Sequence, residues 1–167
     1  SALLLAVAWH LREHNESNRH GEMWDCDYPG FVERTPCIEI PKRTYVSVPM
    51  SIIHACGRPT FRDQDWKGAY QLKPLDVWDS ARRFTSGMYR EGLFQCVSFS
   101  SSKILGIEQG GAILHDNAKA DKWFRRMRFD GRTEGVPPSE DTFDVIGHHC
   151  IMLPSTDSGV QSRSLGD

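Results

Sequence analysis

The chain has 167 residues, of which 39% are hydrophobic and 25% are charged, and its formal net charge is −2. This length and composition are typical of one ordinary globular domain and argue against intrinsic disorder. The nearly neutral charge gives no electrostatic reason to expect a nucleic-acid or membrane-surface partner. The longest apolar run, residues 2–9, is too short for a membrane span and lacks the basic leader of a signal peptide.

Cysteine usage and the chain ends give two further expectations. The five cysteines are scattered without a CxxC pair, which is typical of reduced thiols in a cytoplasmic protein. The sequence opens without Met on a strongly apolar segment and closes on Ser-Leu-Gly-Asp with no clear terminal element. We therefore expect a single domain over residues 1–167 that is incomplete at both ends and belongs to a larger protein.

The N-terminal part of the sequence predicts two helices separated by a long loop. Residues 2–14 are predicted to form a buried helix, because the first eight are apolar all round. Residues 15–34 are polar and rich in turn formers, so they are predicted to form the loop. A short strand over residues 37–40 follows, then a helix over residues 47–55 with its proline in the first turn, and then a strand over residues 59–62.

The remaining sequence predicts three more strands and one helix. Residues 75–78 are predicted to form a short strand that leads into an aspartate, and residues 94–99 a strand with β-branched and aromatic side chains. A Gly-Gly pair introduces a third strand over residues 112–115. An asparagine is well placed to cap a helix over residues 118–129. Short strands that alternate with helices indicate an α/β layered fold.

The most informative stretch is residues 97–114, where a predicted strand runs into a serine-rich turn and then Lys103. Small residues around a lysine leave room for a ring to lie against the backbone, and hydroxyl groups can bind a phosphate. A lysine amine that is neutral and partly desolvated condenses with an aldehyde. The pattern therefore indicates either a cofactor site at Lys103 or a serine-rich loop with a solvated lysine.

Two other residues each allow a functional and a structural interpretation. Asp79 follows a predicted strand, at the sheet edge where open α/β folds bind ligands, and an acid there can pair with a pyridine nitrogen. Asp79 would also be a suitable cap for a following helix. Tyr45 precedes a predicted helix, where it could stack on a flat cofactor or lie in the hydrophobic core.

The order of five segments resembles the DegT/DnrJ/StrS-type sugar aminotransferases, which bind pyridoxal 5'-phosphate (PLP) and have the aspartate-aminotransferase fold. The resemblance extends over residues 1–159 and is weakest over residues 15–34. It implies a three-layer αβα domain with a mostly parallel sheet, similar to the large domain of those enzymes. The segments are LLLAVAWHL, RTYVSVPMSIIHACGRPTFRDQD, VWDSARRF, VSFSSSKILGIEQGGAILHD and RRMRFDGR.

The resemblance also implies roles for particular residues. Lys103 matches the lysine that binds PLP covalently and carries a proton during the reaction. Asp79 matches the acid that pairs with the pyridine nitrogen, and Tyr45 matches the aromatic residue stacked on the ring. Ser98 matches the serine that binds the phosphate, and Ser1 falls at the end of the family's phosphate-binding loop.

The sequence departs from the family pattern at several positions. Arg82 occupies the position near the cofactor's 3-oxygen where the family usually has Gln or His, and a cation there could pair with that oxygen. Residues 65–79 form a link that is shorter than the strand-and-helix unit of the family, so one strand of the sheet is expected to be missing. The adjacent His148 and His149 lie near an expected partner-subunit phosphate contact, and their spacing does not favour a metal site.

The implied reaction is transfer of an amino group from an amino acid such as glutamate to the keto group of a nucleotide-linked sugar. The resemblance implies a cytoplasmic homodimer with PLP as its cofactor, and neither a metal nor a nucleic-acid or membrane partner is expected. Three alternatives remain: a PLP-dependent sugar dehydratase, a non-catalytic or regulatory relative on the same fold, and a plain α/β domain. The dehydratases have His in place of the lysine, so Lys103 argues against the first.

Overall fold

The computed structural model describes residues 2–17, 35–143 and 145–150. Over these residues the chain has a mixed α/β fold, which confirms the expected class, and none of its helices is long and apolar enough to cross a membrane. The elements in chain order are α1 (Ala2–Ser17), β1 (Cys37–Pro41), α2 (Ser47–His54), β2 (Arg58–Arg62), β3 (Tyr70–Leu72), β4 (Val77–Asp79), β5 (Phe94–Ser98), β6 (Gly111–Leu114) and α3 (Ala118–Met127).

The described strands form two small sheets that are joined through their backbones. β1 and β2 pair in parallel, and the other four strands form a sheet in the order β3-β4-β5-β6. Within that sheet β4 and β5 are parallel, whereas β3 and β6 are antiparallel to their neighbours. Glu39 of β1 exchanges backbone hydrogen bonds of 2.7 and 3.0 Å with Lys73, which follows β3.

The expectation of a mostly parallel sheet holds only in part, because the described strands form two parallel pairings, β1–β2 and β4–β5, and two antiparallel ones, β3–β4 and β5–β6. The physical reason is the length of the connections. Only a tight turn over residues 73–76 separates β3 from β4, and a turn that short can join antiparallel strands but not parallel ones. The link over residues 65–79 was predicted to lack one strand of the family's sheet. It contains the short antiparallel strand β3.

The predicted helices and strands agree with the structure except near their ends. The first helix continues to Ser17, so the prediction of a loop is wrong over residues 15–17, and the rest of that predicted loop, residues 18–34, lies outside the described part. The strand predicted over residues 75–78 is shifted, because Leu75 lies in a turn and donates its backbone N–H to Leu72 O at 2.9 Å.

Helix α1 lies at the centre of the hydrophobic core. It contacts α2, α3 and the strands β4, β5 and β6, and its Ala6 and Val7 are completely buried. Ile38 and Ile40 of β1 and Ile52 of α2 are completely buried in the same cluster. Each fully buried aliphatic side chain of this kind contributes about 1.5–3 kcal/mol. Helix α1 is apolar all round because it has packing partners on several sides. The sequence predicted this burial.

Helix α3 is amphipathic and begins at a capping asparagine. The side-chain oxygen of Asn117 accepts backbone hydrogen bonds of 3.0 Å from Lys119 and from Ala120, which confirms the predicted N-cap. Phe124 and Met127 are buried in the core cluster. The helix ends at Met127 and not at residue 129, where it was predicted to end.

Two histidines lie beside buried aromatic rings between α1, the sheet and α3. The His10 ring contacts Phe94 edge-on at 5.0 Å between centroids, and the His115 ring stacks on the same phenylalanine at 5.5 Å. Phe124 contacts both Phe94 and His115 edge-on. Burial is the largest influence on His10 and lowers its pKa, with Arg12 acting in the same direction and Asp76 opposing them.

We predict that Ile52→Ala lowers the free energy of unfolding by about 2–5 kcal/mol, because it leaves a cavity in a fully buried position. Its neighbour on the same helix, Ile53, is 46% exposed, so Ile53→Ala is the matched control and is expected to cost much less. Urea unfolding of the two variants measures the difference. Equal losses would contradict the burial of this helix face.

We also predict that acid destabilises the fold through His10. Because its pKa is lower in the folded than in the unfolded chain, its contribution is full above about pH 6.5 and is lost as the pH falls below that value. The loss is at most about 1.4 kcal/mol per pH unit for one histidine. Urea unfolding of wild type and of His10→Gln at about pH 7.5 and pH 5.5 measures it. His115 is retained in both proteins, so an identical pH dependence in the variant would rule His10 out.

Candidate active site

The parallel pairing of β4 and β5 brings the predicted site residues to one edge of the sheet. Asp79 ends β4, lies beside Cys96 in the register, and is followed by Ser80, whose backbone N–H donates to Cys96 O at 2.8 Å. Ser98 ends β5, and the chain then enters the loop that contains Lys103. The carboxyl ends of parallel strands meet at the same edge, which is where open α/β sheets bind ligands.

The loop over residues 99–110 is closed at its base by backbone hydrogen bonds. Phe99 donates to Gly110 O at 3.0 Å and accepts from the N–H of Ile107 at 2.8 Å. Within the loop, Lys103 N–H donates to Ser100 O at 2.8 Å, which forms a turn. The position of Lys103 therefore depends on the β5–β6 pairing that anchors both ends of the loop.

Lys103 and Arg82 line the same small cavity. Its volume is about 330 Å³, and the other residues that line it are Ala81, Ser102 and Ile104. Lys103 is half-buried, whereas Arg82 is exposed. The structure thus brings together two of the predicted site residues, one an amine and the other a guanidinium group.

Asp79 lies two residues before Ala81 but does not itself line this cavity. It is 9% exposed, and both of its carboxylate oxygens accept hydrogen bonds, from the Tyr70 hydroxyl at 2.7 Å and from the Ala81 N–H at 2.9 Å. The bond to the residue two positions further on is an Asx turn. No helix begins in the described residues 80–93, so the prediction of a helix cap at Asp79 is wrong.

Tyr70 is the residue that the sequence did not indicate. It is 2% exposed, lies on β3 opposite Asp79, and shares a second hydrogen bond with the hydroxyl of Thr44. Burial, followed by the nearby Asp79 carboxylate, raises the pKa of Tyr70 far above its ordinary value, so its hydroxyl stays protonated and donates to Asp79. The alternation of Tyr70 and Leu72 with polar neighbours was the available signal, but three residues are too few to predict a strand.

The other predicted cofactor residues lie outside the lining of the cavity. Tyr45 is 72% exposed, so the alternative prediction of a core tyrosine is wrong. Ser98 is half-buried, and its hydroxyl accepts a long hydrogen bond of 3.4 Å from the Ser100 N–H. Ser1 lies outside the described residues. Stacking by Tyr45 and phosphate binding by Ser98 stay predictions.

The side chains next to Asp79 bear on whether PLP fits here. The Ser80 hydroxyl is buried and has no hydrogen-bond partner in the described part of the chain, although buried hydroxyls normally have one. Burial, followed by Asp79, raises the pKa of Cys96, so this thiol stays protonated and is a poor nucleophile. Ser80 does not line the cavity, so the groups that fit an aldehyde with a phenolic oxygen are the Lys103 amine and the Arg82 guanidinium.

No model of a known protein family matches this chain, and neither does any curated protein or solved structure. The resemblance to sugar aminotransferases therefore stays a prediction.

We predict that Tyr70 and Asp79 are energetically coupled. Tyr70→Phe leaves a carboxylate oxygen of a buried aspartate without its donor, which is expected to cost about 1–3 kcal/mol. In a double-mutant cycle with Asp79→Ala, the coupling should be about 1.5–3 kcal/mol, as for other hydrogen bonds to charged groups. Urea unfolding measures each variant. Tyr45→Phe, at an exposed position of the neighbouring segment, is the control, and a coupling near zero would contradict the hydrogen bond.

Proposed function

We propose that this chain is the PLP-binding part of an aminotransferase that resembles the DegT/DnrJ/StrS type. The proposed reaction moves an amino group from an amino acid, with glutamate as the expected donor, to the keto group of a nucleotide-linked sugar. The observation that carries the proposal is the cavity shared by Lys103 and Arg82, which follows the carboxyl ends of two parallel strands, one of them ended by Asp79. The three-layer αβα arrangement of the complete domain, a homodimer and a cytoplasmic location are parts of the same proposal.

Lys103 is proposed to hold the cofactor and to transfer protons. When bound, PLP supplies an aldehyde that exchanges amino groups and a ring that accepts electron density. The Lys103 amine would hold the cofactor through that aldehyde in the resting enzyme, and an incoming donor amine would take its place. With its Nζ atom free, Lys103 would accept a proton from the donor's Cα, as a positioned base does. Its position supports this role, because the side chain is half-buried and lines a cavity that a ligand could enter.

Asp79 is proposed to pair with the pyridine nitrogen of PLP. Each carboxylate oxygen has two lone pairs, so the bonds from Tyr70 and Ala81 leave acceptor capacity on both oxygens. Those two bonds would also orient the carboxylate, since they hold it from both sides.

Arg82 and the remaining residues are proposed to bind the anionic groups of the cofactor. The guanidinium group of Arg82 would pair with the 3-oxygen of the ring, and Ser98 and Ser1 would bind the phosphate. Tyr45 would cover the ring. The segment before Tyr45 is tied to Tyr70 through Thr44, which supports a place for it near Asp79.

A non-catalytic relative is the second candidate, and two observations favour it. Asp79 already accepts a hydrogen bond on each oxygen, and Tyr45 is largely exposed instead of covering a ring. In that case the same cavity would bind an aldehyde or phosphate ligand without turnover. A PLP-dependent dehydratase is disfavoured by the lysine at position 103.

We predict that borohydride fixes PLP onto Lys103. The purified chain is incubated with PLP and reduced, and peptide mass spectrometry then locates the added mass. Wild type should carry it on the Lys103 peptide, and Lys103→Ala should not carry it. Lys122→Ala, on the exposed face of α3, is the matched control and should behave as wild type.

The amino-donor step can be tested on the same purified chain. Adding glutamate to the PLP-loaded chain should remove the visible absorbance of the bound cofactor, and a keto acid should restore it. Labelling of Lys103 without this exchange would favour the non-catalytic candidate. A folded chain in which Lys103 is not labelled would overturn the proposed function.

A further inference from the structure

A second concavity lies next to the cavity of Lys103 and is larger. Its volume is about 670 Å³, and it shares Arg82 and Ile104 with that cavity. We refer to it as the cationic cleft, because three of the residues that line it are Lys67, Arg82 and Arg83. Trp66 and Phe84 contribute aromatic surface to the same lining.

The charges of the cationic cleft are not balanced by the protein. Among the described residues that line it, none is acidic, and no described carboxylate forms an ion pair with Lys67, Arg82 or Arg83. Other arginines of the chain are paired: Arg62 with Glu39 at 2.8 Å and Arg125 with Asp121 at 2.8 Å. The chain as a whole carries a net charge of −2, so three unpaired cations in one concave surface are a local excess. A concave surface with charge of one sign attracts ligands of the opposite sign.

The walls of the cationic cleft are held by contacts outside it. The Trp66 ring contacts Tyr70 edge-on at 4.7 Å, and its Nε1–H donates to Arg43 O at 2.8 Å. Gly68 has a φ of +77°, and a Cβ there would lie 3.4 Å from Arg83 Cβ and 3.6 Å from Arg82 O. A glycine therefore suits the turn that brings Lys67 against the two arginines. These contacts place the backbone segments that carry the three cations, whose side chains are exposed.

We propose that the cationic cleft binds a phosphate-bearing ligand. Arginine side chains bind phosphate through paired N–H donors, and a lysine adds a compact positive charge. The cleft has room for more than one phosphate group, and Trp66 offers a flat surface for an apolar part of the ligand. The phosphate belongs either to a separate molecule or to the cofactor of the Lys103 cavity, in which case the cleft and not Ser98 would hold the cofactor's phosphate. This site does not depend on chemistry at Lys103.

Titration of the whole chain with inorganic pyrophosphate, followed by calorimetry, tests the proposal. Wild type should bind, and the affinity should fall as salt is raised. Lys67→Gln and Arg83→Gln should each weaken binding by at least about tenfold, because each removes a charge-assisted contact. Arg90→Gln is the matched control: Arg90 lies in the same connection between β4 and β5 but does not line the cleft. Circular dichroism checks that each variant is folded.

The proposal is overturned if folded wild type does not bind pyrophosphate, or if Arg90→Gln weakens binding as much as the cleft variants do. Adding PLP to the pyrophosphate complex of Lys103→Ala separates the two sources of phosphate. Displacement of pyrophosphate indicates that the cofactor's own phosphate occupies the cleft, and retention indicates a separate ligand. A chain that binds pyrophosphate but is not labelled by PLP and borohydride would keep this proposal while overturning the proposed function.

Discussion

β4 and β5 lie side by side in parallel, and the chain needs a crossover to connect them. Residues 80–93 provide that crossover with turns and without a helix, so their side chains stay close to the sheet edge. Arg82 enters the Lys103 cavity from this crossover, and Arg83 enters the cationic cleft. The same pairing fixes where Asp79 ends one strand and where the Lys103 loop leaves the other. One strand pairing thus contributes residues to both concavities, and the segment of Trp66 and Lys67 completes the cationic cleft.

The hydrogen bonds around Tyr70 hold this edge together. Tyr70 contacts Thr44 in the segment after β1 and Asp79 at the end of β4, so it connects the two sheets at the site. Trp66 rests on the same ring and reaches the backbone of Arg43. A carboxylate that is held from both sides keeps one orientation, which is what a group that must meet a ligand requires. The contacts of the buried Tyr70 therefore connect the sheet to the proposed site.

The sequence was sufficient to predict the helices and strands that depend on local patterns. The apolar run of α1 and the cap at Asn117 each predict a helix through periodicity or capping, and those helices exist. Strand direction was not predictable in this way, since it depends on connections and partners far along the chain. Tyr70 was missed because β3 has only three residues, and its bond to Asp79 follows from the pairing of β3 with β4. Lys67 gave no signal, since the other two cations of the cleft, Arg82 and Arg83, are distant from it in sequence.

Arg82 belongs to the linings of both concavities, and this has a thermodynamic consequence. A ligand that pairs with its guanidinium group in one of them changes the charge available to a ligand in the other. Linkage requires the effect to be reciprocal, so each ligand changes the affinity of the other by the same factor. Whether one ligand raises or lowers the affinity of the other depends on geometry. Two anions that compete for the Arg82 guanidinium lower each other's affinity, whereas an anion that fixes the position of the guanidinium raises the affinity of the second anion. Arg82 is thus the residue through which occupation of the cationic cleft would affect the Lys103 cavity.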